Sequence, residues 1–367
     1  MGINFQQRRD RLRRKFRQAG IESLLVTNFT NVTYLTGFTG DDSFLLVRSD
    51  GDLLISDSRF TVQLQEECPD LDVKIRPRTE GIAQSSIKAI EKAKIATLGV
   101  ESTAMNVAVY QRLTGGLSKT KVEPVSGLVE SLREIKDKFE IQAIRRAVRQ
   151  AERAILSVTA GLMPDQTELQ VAADIEHTIR RFGGRKCSFP SIVAVGPRAA
   201  LPHATPTERM IGESDFVLID WGAREKQYVS DLTRIFVTGR ISPKLERIYG
   251  IVLEAQRRAI RKIRPGASMG EVDSAARSYI DQSGHGKNFG HGLGHGIGLD
   301  VHESPRLVDG QKQLLKAGMV VTVEPGIYLP GWGGVRIEDD VLVTRDGHEV
   351  LSSLTKELED SVLSLAI

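Results

Sequence analysis

The strongest constraint in this 367-residue sequence is a repeat in its second half, offset by about 100 residues, that carries acidic residues at matching places. One copy contains TAGLMPDQTELQVAADIEHTIRRFGG and the other IRPGASMGEVDSAARSYIDQSG, which sets Glu168 against Glu271 and Ala172-Ala173 against Ala275-Ala276. Each copy runs on to a histidine and two β-rich stretches, so that His203 matches His302, Asp220 matches Glu324 and Asp231 matches Glu338. Helices can resemble one another by amphipathicity alone, but that does not bring carboxylates into register. The pattern predicts a duplicated α+β unit with a pseudo-twofold axis.

The chain is longer than the roughly 100–200 residues of a usual domain. From Ile21 to Leu128 the short apolar runs SLLVT, SFLLV, DLLIS and KIATLGV alternate with helical stretches, one near Ile82–Lys92, which is an α/β pattern. Pro124, Ser126 and Gly127 then break structure before a long charged helix expected from about Ile135. We therefore divide the chain into residues 1–132 and 133–367.

Composition removes several classes of function. The net charge of +3 conceals a +6 start, Arg8–Arg17 against Asp10, and a remainder of −3, which argues against a nucleic-acid partner. Leu12, Phe16 and Ala19 recur at helical spacing there, so the basic residues read as a solvated helix face. Cys68 and Cys187 cannot form a disulfide framework, and no apolar run approaches the roughly 18–20 residues of a membrane span, so a cytoplasmic location is expected.

Chemistry concentrates in three stretches. FVLIDWGAREKQYVSDLTRIFV reads as a hairpin with a four-residue loop at Arg224–Gln227, which would place Asp220 directly opposite Asp231 on a partly apolar face. Buried carboxylates there need cations or protons, and an ion pair with Arg234 or Arg336 is the structural alternative. GHGKNFGHGLGHGIGLDVHE holds His285, His291, His295 and His302 among seven glycines, a composition suited to close backbone approach. MVVTVEPGIYL and GVRIEDDVLV place Glu324 and Glu338 in β runs, where the repeat sets them against Asp220 and Asp231. Four carboxylates with an imidazole, and no thiolate nearby, suit a pair of hard or borderline divalent ions such as Mn²⁺, Co²⁺ or Zn²⁺. Two such ions would also neutralise four carboxylates.

Taken together, D-W-G…Y-V-S-D-L-T-R, G-H-G-I-G-L-D-V-H-E, V-E-P-G and R-I-E-D resemble the "pita-bread" (M24) metallopeptidases, which comprise Xaa-Pro aminopeptidases, prolidases and methionine aminopeptidases. The resemblance implies a creatinase/prolidase-like α/β domain before a pita-bread catalytic domain. It also implies Asp220, Asp231, His295, Glu324 and Glu338 as ligands of two divalent ions, Mn²⁺ foremost. His203, His291 and His302 match substrate-handling positions, and Arg336 matches an arginine that supports the site. The reaction implied is attack by a hydroxide bridging the two metals, with Glu324 as proton shuttle.

Methionine aminopeptidases resemble only the second domain, so the preceding residues favour the proline-directed branch. The leading expectation is an Xaa-Pro aminopeptidase acting on proline-containing peptides. A prolidase confined to dipeptides is the alternative, with Arg306 as candidate clamp for the substrate carboxylate; a metal-independent amidinohydrolase is the alternative of another class. A homodimer or higher oligomer, with no nucleic-acid or membrane partner, completes these expectations.

Overall fold

A computed structural model describes residues 3–365, and the chain divides into two units, Met1–Arg133 and Glu134–Ile367. The first unit is built on a six-stranded sheet in the order Asp72–Ile75, Asp52–Ser56, Phe44–Val47, Ser23–Val26, Thr97–Glu101, Lys121–Val125. Ser23–Val26 is buried throughout, which explains why it reads as a continuous apolar run rather than an alternating one. It pairs in parallel with Thr97–Glu101, a connection that requires a crossover and therefore the intervening helices, among them Ile82–Lys92. Helix Phe29–Thr36 was not expected from sequence; the Asn28 side chain caps it by accepting from the Thr30 and Asn31 amides.

The basic N-terminal stretch forms the helix Phe5–Ala19, but its charged face is not wholly solvated, which corrects the expectation. Arg8 and Arg9 are buried: Arg8 lies over the Tyr34 ring at 4.1 Å, and Arg9 Nε donates to Asp52 Oδ2 at 2.6 Å. Arg13 reaches the other oxygen of Asp52, also at 2.6 Å. Two of the arginines that made the start so basic are thus joined through one carboxylate.

In the second unit the order helix, helix, three antiparallel strands occurs twice. Helices Lys138–Thr159 and Glu168–Arg181 precede strands Ile192–Val195, Phe216–Trp221 and Leu232–Val237. Helices Pro243–Lys262 and Met269–Gln282 precede Gly294–Gly296, Val320–Val323 and Asp339–Val343. This is the duplicated pita-bread architecture, and the bridge Thr233↔Glu338 joins the two halves where their acidic residues lie. The repeat's helical register differs from the one read in sequence. Thr167 with Gln170 and Ser268 with Glu271 form matching capping boxes, so Glu271 corresponds to Gln170. Glu168 is instead buried and accepts from the Val195 amide and the Arg198 guanidinium.

The Asp220 hairpin also differs. Glu225 pairs with Tyr228, so the turn is the two residues Lys226 and Gln227, with Lys226 at φ 54°. Asp220 consequently pairs with Thr233, and Asp231 is its diagonal neighbour. A shift of two residues preserves the face, which is why both carboxylates still point the same way. The long helix begins at Lys138, behind the Asp137–Glu140 capping box, rather than at Ile135.

Removing the carboxylate that joins Arg9 and Arg13 strands a buried guanidinium. Asp52→Ala is expected to lower the stability of the first unit by roughly 3–5 kcal/mol, read as an earlier transition in urea denaturation.

Candidate metal centre

Ten of the residues named above, His203, Asp220, Asp231, His291, His295, His302, Arg306, Glu324, Arg336 and Glu338, line one cavity of about 610 Å³. Asp220 is the last residue but one of its strand and Asp231 precedes the hairpin partner, while Glu324 and Glu338 flank the ends of the strands Val320–Val323 and Asp339–Val343. The latter pair is held from behind by Gln256, whose amide donates to the carbonyls of Val323 and Ile337, both at 3.2 Å. Arg234 forms an ion pair with Asp339 at 2.7 Å and donates to the Glu338 carbonyl at 2.6 Å. It therefore braces the strand and does not neutralise Asp220 or Asp231.

His295 lies between two glycines that no other residue could replace. A Cβ at Gly294 would fall 2.0 Å from the Thr322 carbonyl oxygen, and one at Gly296 would fall 2.2 Å from that of Ser304. The imidazole is oriented by its Nδ1, 3.1 Å from the Gly296 carbonyl. A carbonyl can only accept, so Nδ1 carries a proton and Nε2 is the nitrogen turned toward the carboxylates. That nitrogen faces Glu324 Oε1 at 3.2 Å and Asp231 Oδ2 at 3.9 Å.

Ligand-type atoms of Asp231, His295 and Glu338 all lie within 4.8 Å of one another, and Glu324 and Asp220 complete the wall around them. Asp220 Oδ1, Asp231 Oδ1 and Glu338 Oε1 are buried without a hydrogen-bond partner. Unpaired anionic oxygens in a dry site are strongly unfavourable, so this donor set fits divalent cations. Arg336 satisfies one oxygen, donating to Asp220 Oδ2 at 2.6 Å.

Electrostatics agrees with that reading. Burial, then the neighbouring Glu338 and Asp220, hold the Asp231 carboxyl well above its usual range. Glu338 is likewise raised well above, by burial and then by Glu324 and Asp220. Burial also raises Asp220 despite Arg336. Glu324 behaves oppositely: burial acts to raise it, but the His295 hydrogen bond and nearby positive charge outweigh this and lower its pKa.

The remaining histidines differ in exposure and bonding. His203 and His302 are exposed on the cavity wall, with the His302 ring edge-on to His295 at 4.3 Å. His291 is engaged at both nitrogens, Nδ1 to the Gly292 carbonyl at 2.8 Å and Nε2 to the Tyr328 hydroxyl at 2.9 Å. Tyr328 in turn accepts from Arg336 at 2.9 Å, which links His291 to Asp220 through two side chains.

Sequence reasoning missed several contributors. Tyr328 carried no signal beyond its place in a β run. Thr233 gave none: its hydroxyl donates to Glu338 Oε2 at 2.6 Å and accepts from Arg336 at 3.1 Å. Asp340 is a further buried carboxylate and accepts from the Asp231 amide at 3.1 Å. Its alternation with Glu338 in RIEDDV was the available clue.

Known proteins resemble this chain in sequence and fold. The family described as Metallopeptidase family M24 matches residues 142–345, and the Creatinase/Prolidase N-terminal domain matches residues 8–135. The uncharacterized peptidase YqhT of Bacillus subtilis is 38% identical over 349 residues, covering 95% of this chain and 98% of that one. The solved structure of an Xaa-Pro dipeptidase from Bacillus anthracis has a TM-score of 0.93 at 38% identity, covering 97% of this chain and 99% of its own. An X-Pro aminopeptidase from Thermotoga maritima has a TM-score of 0.86 at 35% identity, covering 95% and 99%. Fold, buried donor set and these likenesses together establish that the chain belongs to metallopeptidase family M24, whose members are hydrolases that use divalent metal ions.

Proposed function

We propose that this chain hydrolyses the bond between an N-terminal residue and a following proline, with dipeptides as the preferred substrates. The observation that carries the reaction is the set of five ligand-type side chains on one cavity, with three buried carboxylate oxygens unpartnered. Asp220, Asp231, His295, Glu324 and Glu338 would hold two divalent ions, of which Mn²⁺ suits the oxygen-rich set. Such ions supply Lewis acidity and a means of ionising water near neutral pH.

The protein's own groups account for the remaining demands of the reaction. Glu324, held ionised beside His295, is placed to take a proton from water and return it to the departing proline nitrogen. His203 and His302 stand on the cavity wall, where they can bond the carbonyl on which charge develops. Phe189, Pro190, Ile192 and Pro202 offer an apolar seat for a pyrrolidine ring. An Xaa-Pro bond has no N–H to recognise, so shape must do that work.

The preference for dipeptides rests on Arg306. Its side chain is exposed on the same wall, where it can receive the carboxylate that a dipeptide presents immediately after proline. Likeness to the Xaa-Pro dipeptidase of Bacillus anthracis supports this reading; likeness to the X-Pro aminopeptidase of Thermotoga maritima supports the aminopeptidase reading. Comparing Ala-Pro with Ala-Pro-Ala in Mn²⁺ decides between them, and faster cleavage of the tripeptide would favour the aminopeptidase. Arg306→Ala is expected to raise KM for Ala-Pro by roughly 10–100-fold, the worth of one charged hydrogen bond. The tripeptide should be little affected.

The raised carboxyls of Asp231 and Glu338 give a stability prediction. A carboxyl whose folded pKa lies above its unfolded value stabilises fully below the unfolded value and loses that contribution as pH rises through the folded one. Metal-free protein is therefore expected to lose thermal stability as pH rises above about 4, and Mn²⁺ to restore it at neutral pH. Asp231→Asn should raise the neutral-pH melting temperature of the metal-free protein while abolishing both the Mn²⁺ response and hydrolysis. Scanning calorimetry with and without chelator checks the stability outcomes, and an Ala-Pro cleavage assay checks the loss of hydrolysis.

A further inference from the structure

A second buried charge pair lies outside the carboxylate centre. Lys136 Nζ donates to Glu303 Oε1 at 2.8 Å, and the two side chains are 1% and 6% exposed. Neither residue lines the cavity, yet Glu303 directly follows His302, which does. Replacing a buried ion pair by apolar residues of similar volume is often neutral or stabilising, so stability alone gives no reason for this one. Its geometry gives a reason.

The Glu303 carboxylate sits beneath the turn that leads into His302. A Cβ at Gly298 would fall 2.5 Å from Glu303 Oε1, and the Asp300 amide approaches Oε2 at 3.5 Å. The turn is closed by the Gly298 amide donating to the Asp300 carbonyl at 3.1 Å. It is steadied by the Val229 amide on the Gly298 carbonyl at 2.9 Å and by Arg224 on the Leu299 carbonyl at 3.2 Å. On the other side, the Lys136 amide donates to the Gly318 carbonyl at 2.8 Å, and the Gly318 amide donates to Val343 at 2.9 Å. The ammonium is therefore fixed to the sheet that carries Glu324 and Glu338. The exposed His302 ring meets His295 edge-on at 4.3 Å, a contact that depends on the turn that bears it.

We infer that Lys136 and Glu303 are positioning residues, which clamp the turn 298–302 to the sheet and so aim the His302 imidazole into the cavity. The inference rests on the reading of His302 as a group that faces substrate. It assigns a role in the reaction to two residues that touch neither substrate nor metal.

The test compares Lys136→Met, Lys136→Arg and the charge-free double variant Lys136→Met/Glu303→Leu, which guards against misfolding from an unpaired buried charge. Hydrogen–deuterium exchange of residues 297–303 in metal-free protein is expected to quicken by about tenfold in Lys136→Met and in the double variant, with Lys136→Arg near wild type. Cleavage of Ala-Pro with Mn²⁺ should lose about tenfold or more in kcat/KM in the same two variants, at unchanged metal content. Combined with His302→Ala, the double variant should cost less than about twofold further, because both changes remove the same contribution. A folded double variant with wild-type exchange and wild-type kcat/KM would overturn the inference, as would full additivity with His302→Ala. Wild-type protein that cleaves no Xaa-Pro substrate would overturn the functional reading instead, and the exchange measurement would still decide the clamp.

Discussion

Like-charged carboxylates in a low-dielectric pocket repel one another, and much of the second unit is arranged to hold them there regardless. Asp231 and Glu338 each lie within the field of two or more other acids, and burial adds to that penalty. Left to themselves such groups would take up protons or pull apart. The surrounding structure restrains them through backbone and neutral hydrogen bonds rather than through counter-charge: Gln256 grips two strand carbonyls, the Thr233 hydroxyl bonds Glu338, and Arg234 is spent on Asp339. Arg336 is the exception, a guanidinium on Asp220 itself. The result is a rigid donor set whose charge is left for cations from outside.

The same restraint separates the roles of two glutamates that the sequence treats alike. Glu324 and Glu338 both flank strands of one sheet, but only Glu324 is joined by His295, and its pKa falls while that of Glu338 rises. An ionised carboxylate beside one that resists ionisation gives a proton acceptor an address. Environment rather than residue type draws that distinction.

What could be read from the sequence depended on whether a signal was local. Duplication, strand runs and the glycine-flanked histidine were visible because each is a pattern along the chain. The hairpin register was not: two residues of loop length decide whether Asp220 meets Asp231 or Thr233, and Lys226 at positive φ permits the shorter turn without a glycine to announce it. Period-two alternation rescued the inference, because a slip of two keeps the face. Arg8 and Arg9 were misjudged because their burial depends on Tyr34 and Asp52, partners far along the chain. Tyr328, Thr233 and Asp340 matter through contacts across strands, which no spacing rule contains.

The bridge between Thr233 and Glu338 has a consequence for how this unit responds to its surroundings. Asp220 and Asp231 come from the first repeat; His295, Glu324 and Glu338 come from the second. A cation held by ligands from both repeats would act as a reversible cross-link between halves that strand edges and packing also join. Loss of such an ion would leave four like-charged carboxylates facing one another across the seam, so metal binding and cohesion of the two repeats would rise and fall together.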